Sequence, residues 1–168
     1  HWGHATSDDL VHWTDEPIAL SPTPGTADED GCYSGCAVDD GDDFTLVYPG
    51  HVECDPGTGE RVQRQLLATN PGGQNATWAK DAANPVLEAP VGIDPRDFRD
   101  PFVWREGDMW YALVGAQTVE GEDGLTLFRS DDLREWVYLG SFLEDVTTGM
   151  SDADSALECP GFLSFDEV

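Results

Sequence analysis

The chain has 168 residues and a mass of 18.3 kDa, enough for one domain with a sizeable core. Its 34 Asp and Glu against 8 Lys and Arg leave a net charge of -26, which argues against nucleic acid or an anionic membrane surface as partner, since both need a basic footprint. No run of 18 apolar residues is present to span a bilayer.

In chain order, the first landmark is Ser7-Asp8-Asp9-Leu10-Val11-His12-Trp13, a polar turn running into a tryptophan. Strands are expected at 32–38 (CYSGCAV), 44–50 (FTLVYPG), 64–70 (RQLLATN) and, shorter, 76–80 (ATWAK). A second series follows at 98–104 (FRDPFVW), 109–115 (MWYALVG), 124–130 (GLTLFRS) and 135–140 (EWVYLG). A further strand is expected at 157–165 (LECPGFLSF). Gly/Asp turns separate these runs, and nothing shows sustained helical periodicity.

The opening signature recurs as Ser130-Asp131-Asp132-Leu133-Arg134-Glu135-Trp136, with a degenerate copy over 69–78 between the two. The three tryptophans, Trp13, Trp78 and Trp136, are 65 and 58 residues apart, the period of an array of supersecondary units. Four short strands per unit describe a β-propeller blade; a sandwich would supply the strands but not the repeated turn and tryptophan. The fold class expected is therefore all-β, a partial propeller: a blade end at 1–20, a blade at 32–80, a blade at 98–140 and the start of another at 157–168. The chain opens HWGH without an initiator Met, so it reads as a piece cut from something longer, about half of such a domain. Its opening residues show no basic and apolar leader.

In a propeller the first strand of each blade lines the central channel, so its opening residues converge on one mouth. That brings together Ser34, Asp100 and Glu158, which are 66 and 58 residues apart. Two carboxylates in a concave mouth are what glycoside hydrolysis uses, one to protonate the leaving oxygen and one to attack or support positive charge at the anomeric carbon.

The segment Trp2-Gly3-His4-Ala5-Thr6-Ser7-Asp8-Asp9-Leu10-Val11-His12-Trp13, with Pro17-Ile18-Ala19-Leu20 after it, resembles the invertase, levanase and inulinase group, the glycoside hydrolase family 32 β-fructosidases. Gly31 to Val38 is similar to that family's F-S-G segment, Phe98-Arg99-Asp100-Pro101 to its R-D-P motif, and Glu158-Cys159-Pro160 to its E-C motif, all in family order. The resemblance implies a five-bladed propeller and retaining cleavage of β-fructofuranosyl bonds in sucrose, levan or inulin, with no metal or organic cofactor. On it, Glu158 is the general acid/base, Asp100 stabilises the transition state, Arg99 holds that geometry, and Tyr33 and Ser34 contact sugar. The family's nucleophile, an Asp in N-D-P-N-G, has no counterpart in these residues, so the fragment alone is expected to be inactive. Tyr33 stands for a common Phe, Ala156-Leu157 for a usually aromatic pair and Gly161 for a usual Asp. Two other readings stand beside this one: a non-catalytic fructan-binding propeller or truncated gene product, and a five-bladed hydrolase of arabinan or xylan.

Cys32-x3-Cys36 with His51-x2-Cys54 superficially resembles a zinc site, but small buried thiols are the commoner outcome for such a strand. Trp13, Trp78 and Trp136 are expected in blade cores, His4 and His12 in structural roles, and the Asp pairs at 8–9 and 131–132 in turns. The acids are evenly spread, 15 in residues 1–84 and 19 in 85–168, and 22 of the 34 are Asp while Lys80 is the single lysine. Such a surface repels itself unless salt screens it, which reads as adaptation to molar salt.

Overall fold

The structure is a computed structural model, described for residues 1–41, 44–70, 77–142 and 157–163. Strands and loops make up those residues, without a helix. The first sheet is a hairpin of β1 (Trp2–Thr6) and β2 (Thr14–Leu20).

The second sheet contains β3 (Gly31–Cys32), β4 (Cys36–Asp39), β5 (Phe44–Val52), β6 (Val62–Thr69) and β7 (Ala79–Lys80). Both β3 and β4 pair with β5, and β5, β6 and β7 follow in order. The single strand expected over 32–38 is therefore broken at Tyr33–Gly35. The reason is the approach of β5: at Gly35 the two backbones come so close that a Cβ would lie 2.0 Å from the Val47 carbonyl oxygen. Tyr33 keeps one backbone bond to β5, its amide donating to the Pro49 carbonyl at 2.9 Å, and the side chains of Tyr33 and Ser34 are left exposed.

The third sheet has four antiparallel strands in simple order, β8 (Ile93–Glu106), β9 (Met109–Thr118), β10 (Asp123–Ser130) and β11 (Trp136–Phe142). Along β8 the register slips between Ile93 and Phe98 and again between Arg99 and Phe102. Bulges of this kind bend a strand and re-aim its side chains. Here they bracket Arg99 and Asp100. The strand expected over 157–165 does not form in its described part; residues 157–163 lie without regular structure against the third sheet. Leu157 reaches that sheet at Gly115, where a Cβ would come within 2.2 Å of the Leu157 carbonyl oxygen.

The repeated turn is a repeat in three dimensions. Ser7 Oγ accepts from the amides of Asp9 and Leu10, and Asp9 Oδ1 accepts from those of Val11 and His12. Ser130 Oγ and Asp132 Oδ1 do the same for Asp132, Leu133, Arg134 and Glu135. Short polar side chains thus satisfy a tight backbone, and the Leu takes φ of 61° and 67° in the two copies. Surroundings separate the copies. Leu133 is 3% exposed and Trp136 packs on the core, whereas Leu10 is 78% and Trp13 58% exposed. Within these residues Trp13 packs on neither apolar cluster, since the first sheet has only β1 and β2 to cover it.

Two apolar clusters join the sheets in series. Leu20, Cys32, Leu46, Tyr48 and Leu66 fill the space between the first and second, with Trp2 and Trp78 against them. Val38, Val47, Leu67, Phe98, Val114 and Phe128 lie between the second and third. Phe98 and Phe128 meet edge to face at 5.9 Å. Burying each ring contributes about 1.5–3 kcal/mol. This packing holds the start of β8 rigidly beside the break in the second sheet.

Candidate active site

A cleft of about 650 Å³ opens where the three sheets meet, lined by Trp2, Tyr33, Ser34, Arg99, Asp100 and Glu158 among others. The structure therefore brings together all five residues singled out from the sequence. They come from the strand break, the β8 bulge and the segment seated on Gly115.

Asp100 is buried at its floor, with φ of 58°. Its Oδ2 accepts from the Cys159 amide at 3.0 Å and from the Cys159 thiol at 3.5 Å. Cys159 is itself left-handed, with φ of 51°. Non-glycine residues in this region cost roughly 1–3 kcal/mol and persist where the surroundings dictate them. The pairing is a mutual clamp that fixes both the Asp100 carboxylate and the backbone carrying Glu158. The charge of Asp100, then burial, raises the Cys159 thiol above its ordinary range.

Arg99 bridges the carboxylates. Its side chain is 12% exposed; Nη1 donates to Asp97 Oδ1 at 2.6 Å, while Nη2 and Nε donate to Glu158 Oε1 at 2.9 and 3.3 Å. Burial opposes the Arg99 charge, but its bonds to Asp97 and Glu158 outweigh this and hold its pKa above the usual arginine value. The start of β8 is pinned from β6: Gln65 Nε2 donates to the Phe98 carbonyl at 2.8 Å, and Gln63 Oε1 accepts from the Phe98 amide at 3.3 Å. The sequence reading missed Asp97, Gln63 and Gln65. The two glutamines left one signal, a pair of polar residues on the same face of the strand Val62–Thr69, and the structure buries both.

Tyr33 is placed by its neighbours. Its ring stacks on His51 at 4.7 Å with 14° between planes, and its carbonyl accepts from Trp2 Nε1 at 2.8 Å. Gly31 leaves room for that ring, since a Cβ there would come within 2.7 Å of it. His51 Nε2 meets Glu53 Oε2 at 2.9 Å. His51 thus supports the Tyr33 ring. Cys32 bonds to Asp28, and Cys36 Sγ accepts from the Val103 amide. Burial pushes both thiols up to about 11. Among the described residues no group of three or more His, Cys, Asp or Glu is arranged to hold a metal.

Antiparallel sheets packed in series around one polar cleft define part of a β-propeller. The chain belongs to glycosyl hydrolases family 32: residues 1–168 match the description "Glycosyl hydrolases family 32 N-terminal domain". It is 42% identical over 171 residues to the sucrose-6-phosphate hydrolase of Escherichia coli, covering 99% of the chain and 33% of that relative. Among solved structures, the sucrose-6-phosphate hydrolase of Lactobacillus gasseri superposes with a TM-score of 0.73 at 29% identity, over 86% of the chain and 28% of its own. The β-fructofuranosidase of Bombyx mori superposes with a TM-score of 0.70 at 35% identity, over 84% and 28% respectively, and a variant of it has been solved with sucrose. The chain spans about a third of the length of the curated relatives it matches.

Proposed function

We propose that the protein is a retaining β-fructofuranosidase and that its sheets are successive blades around the catalytic cleft. Glu158 donates a proton to the glycosidic oxygen as the bond to the fructosyl anomeric carbon breaks. A second carboxylate, from a segment outside these 168 residues, forms the covalent fructosyl intermediate across a separation of about 5–5.5 Å. Water then attacks the same carbon, giving its proton to Glu158, and releases fructose with retained configuration. Asp100, held by Cys159, accepts from fructosyl hydroxyls and supports the positive charge that develops on the ring. Arg99 orients Glu158, and Tyr33 and Ser34 form the sugar wall.

The observation that carries this reading is the convergence of Arg99, Asp100, Glu158, Tyr33 and Ser34 on one cleft. Family membership and the sucrose-cleaving names of the relatives support it. The test is Glu158→Gln in the intact protein. Turnover of sucrose should fall by a factor of about 10² to 10⁴, the usual contribution of general acid catalysis, with a smaller effect on binding. Near-normal hydrolysis would show that another group is the acid.

A further inference from the structure

We infer that Gln65 and Gln63 of β6 are positioning residues for hydrolysis, holding Phe98 so that Asp100 keeps its left-handed backbone and its aim into the cleft. This rests on the β-fructosidase reading and extends it to two residues outside the cleft lining. β8 is the edge strand of its sheet, and an edge leaves backbone groups that need partners. At Phe98 side chains supply them. Gln65 Nε2 donates to the Phe98 carbonyl at 2.8 Å, and Gln63 Oε1 accepts from its amide at 3.3 Å and from Arg99 Nη1 at 3.5 Å. The two side-chain amides thus copy one rung of a ladder, immediately before the register slip that carries Asp100.

Residues 63, 65 and 67 share one face of β6, and Leu67 on that face packs in the apolar cluster between the second and third sheets. Arg64, between the glutamines, faces the other way and meets Asp55 and Glu88. Gln63 is 2% and Gln65 1% exposed, and Gln65 Oε1 is buried without a partner among the described residues. An unmade buried acceptor costs stability, which an apolar side chain of the same size would avoid. The bond to Phe98 is what an apolar residue there could not supply. β6 is a firm base for it, because the Asn84 side chain bonds both the amide and the carbonyl of Leu67 at 2.8 Å. On the other side the Cys159 amide holds Asp100 Oδ2. With Phe98 released, the strained Asp100 is held at one end only and can relax to ordinary backbone.

The test uses the opposite polarity of the two bonds. In the intact protein, kcat for sucrose is measured across pH, relative to wild type, for Gln65→Glu and Gln63→Glu, which make the same chemical change on the same buried face. Division by wild type cancels the titration of every group common to both proteins. Burial favours the neutral form of a carboxyl, and in that form the new group at 65 can still donate to the Phe98 carbonyl, whereas ionised it repels that oxygen. The Gln65→Glu ratio should therefore lie within about threefold of unity near about pH 5.5 and fall about tenfold or more by about pH 8.5. At 63 a carboxyl accepts in either state, so the Gln63→Glu ratio should stay flat over the same range. Gln65→Met, uncharged and of similar size, should lower kcat by about tenfold at every pH, and it decides the matter if Gln65→Glu does not fold. Cys159 gives a second readout, being already exposed and touching Asp100 Oδ2 at 3.5 Å. Iodoacetamide should label it faster in Gln65→Met than in wild type, as the Asp100 charge moves away from the thiol. Parallel pH profiles for the two Glu variants, or wild-type kcat in Gln65→Met, would overturn the inference. If wild type does not cleave sucrose, the β-fructosidase reading falls, and Cys159 labelling decides alone: a faster rate in Gln65→Met upholds the hold on Asp100, and an equal rate overturns it.

Discussion

The Cys159 amide donates to Asp100 Oδ2 at 3.0 Å across 59 residues of sequence, and both residues hold left-handed backbones to do so. Asp100→Asn should therefore have two readable effects in the intact protein. Sucrose turnover should fall by about 10² to 10³, the scale for losing one preorganised electrostatic contact to the transition state. Cys159 should also alkylate faster at fixed pH, because the Asp100 charge is the leading cause of its raised thiol pKa. Iodoacetamide labelling followed by peptide mass spectrometry measures the second effect. An unchanged Cys159 rate would show that the clamp does not act through the Asp100 charge.

Gly115 is where the third sheet seats the segment that carries Glu158. A Cβ at this position would stand 2.2 Å from the Leu157 carbonyl oxygen and 3.1 Å from that of Arg99, both backbone atoms with little freedom to yield. Gly115→Ala should displace Leu157 and Glu158 together. We expect destabilisation of about 1–3 kcal/mol from overpacking, and a loss of up to about 10² in kcat from misplacement of the acid. Wild-type kinetics in a folded variant would show that Glu158 is positioned by something else.

Asp28 has no solvent exposure and is bonded by Lys80, Tyr48, Thr26 and Cys32. Burial alone would raise its pKa, but the bonds from Lys80, Thr26 and Tyr48 together outweigh it and hold the carboxyl below 3.8. A carboxyl depressed on folding stabilises the native state above the unfolded pKa and loses that contribution as pH falls through the folded one. Stability should thus decline below about pH 4. Asp28→Asn should cost about 3 kcal/mol at neutral pH, near the lower bound for breaking a buried pair because Lys80 still reaches solvent. It should also flatten part of the acid decline. Urea melts from pH 2 to 7 measure both, and identical slopes in the two proteins would remove Asp28 from the account.

Salt should stabilise the protein. Exposed ion pairs such as Arg61–Asp97 weaken with screening, but each contributes only about 0–1 kcal/mol. Repulsion within a net charge of -26 is relieved by the same screening and acts over the whole surface. The melting temperature of the intact protein should therefore rise from 0.1 M to 1 M NaCl. A fall, or no change, would count against a molar-salt habitat.

Most of the strands and the site motifs were legible in the sequence, because they rest on local physics. Short runs rich in β-branched and aromatic residues, bounded by Gly and Asp turns, favour strands wherever they are packed, and they became β5, β6, β9, β10 and β11 within a few residues of the expected bounds. The Ser-x-Asp-Leu turn was readable for the same reason: its hydrogen bonds close within five residues, so both copies fold alike. What tertiary structure alone decided is everything set by a remote backbone. Tyr33 to Gly35 leave the sheet because Val47 presses on Gly35, and Leu157 to Cys159 stay irregular where they cap Gly115 and Asp100. Gln63 and Gln65 gained their roles from Phe98, which only β6 packing against β8 brings within reach. Trp13 and Trp136 carry the same local signature yet differ in burial, since burial depends on which neighbouring strand lies over the ring and not on the residues beside it.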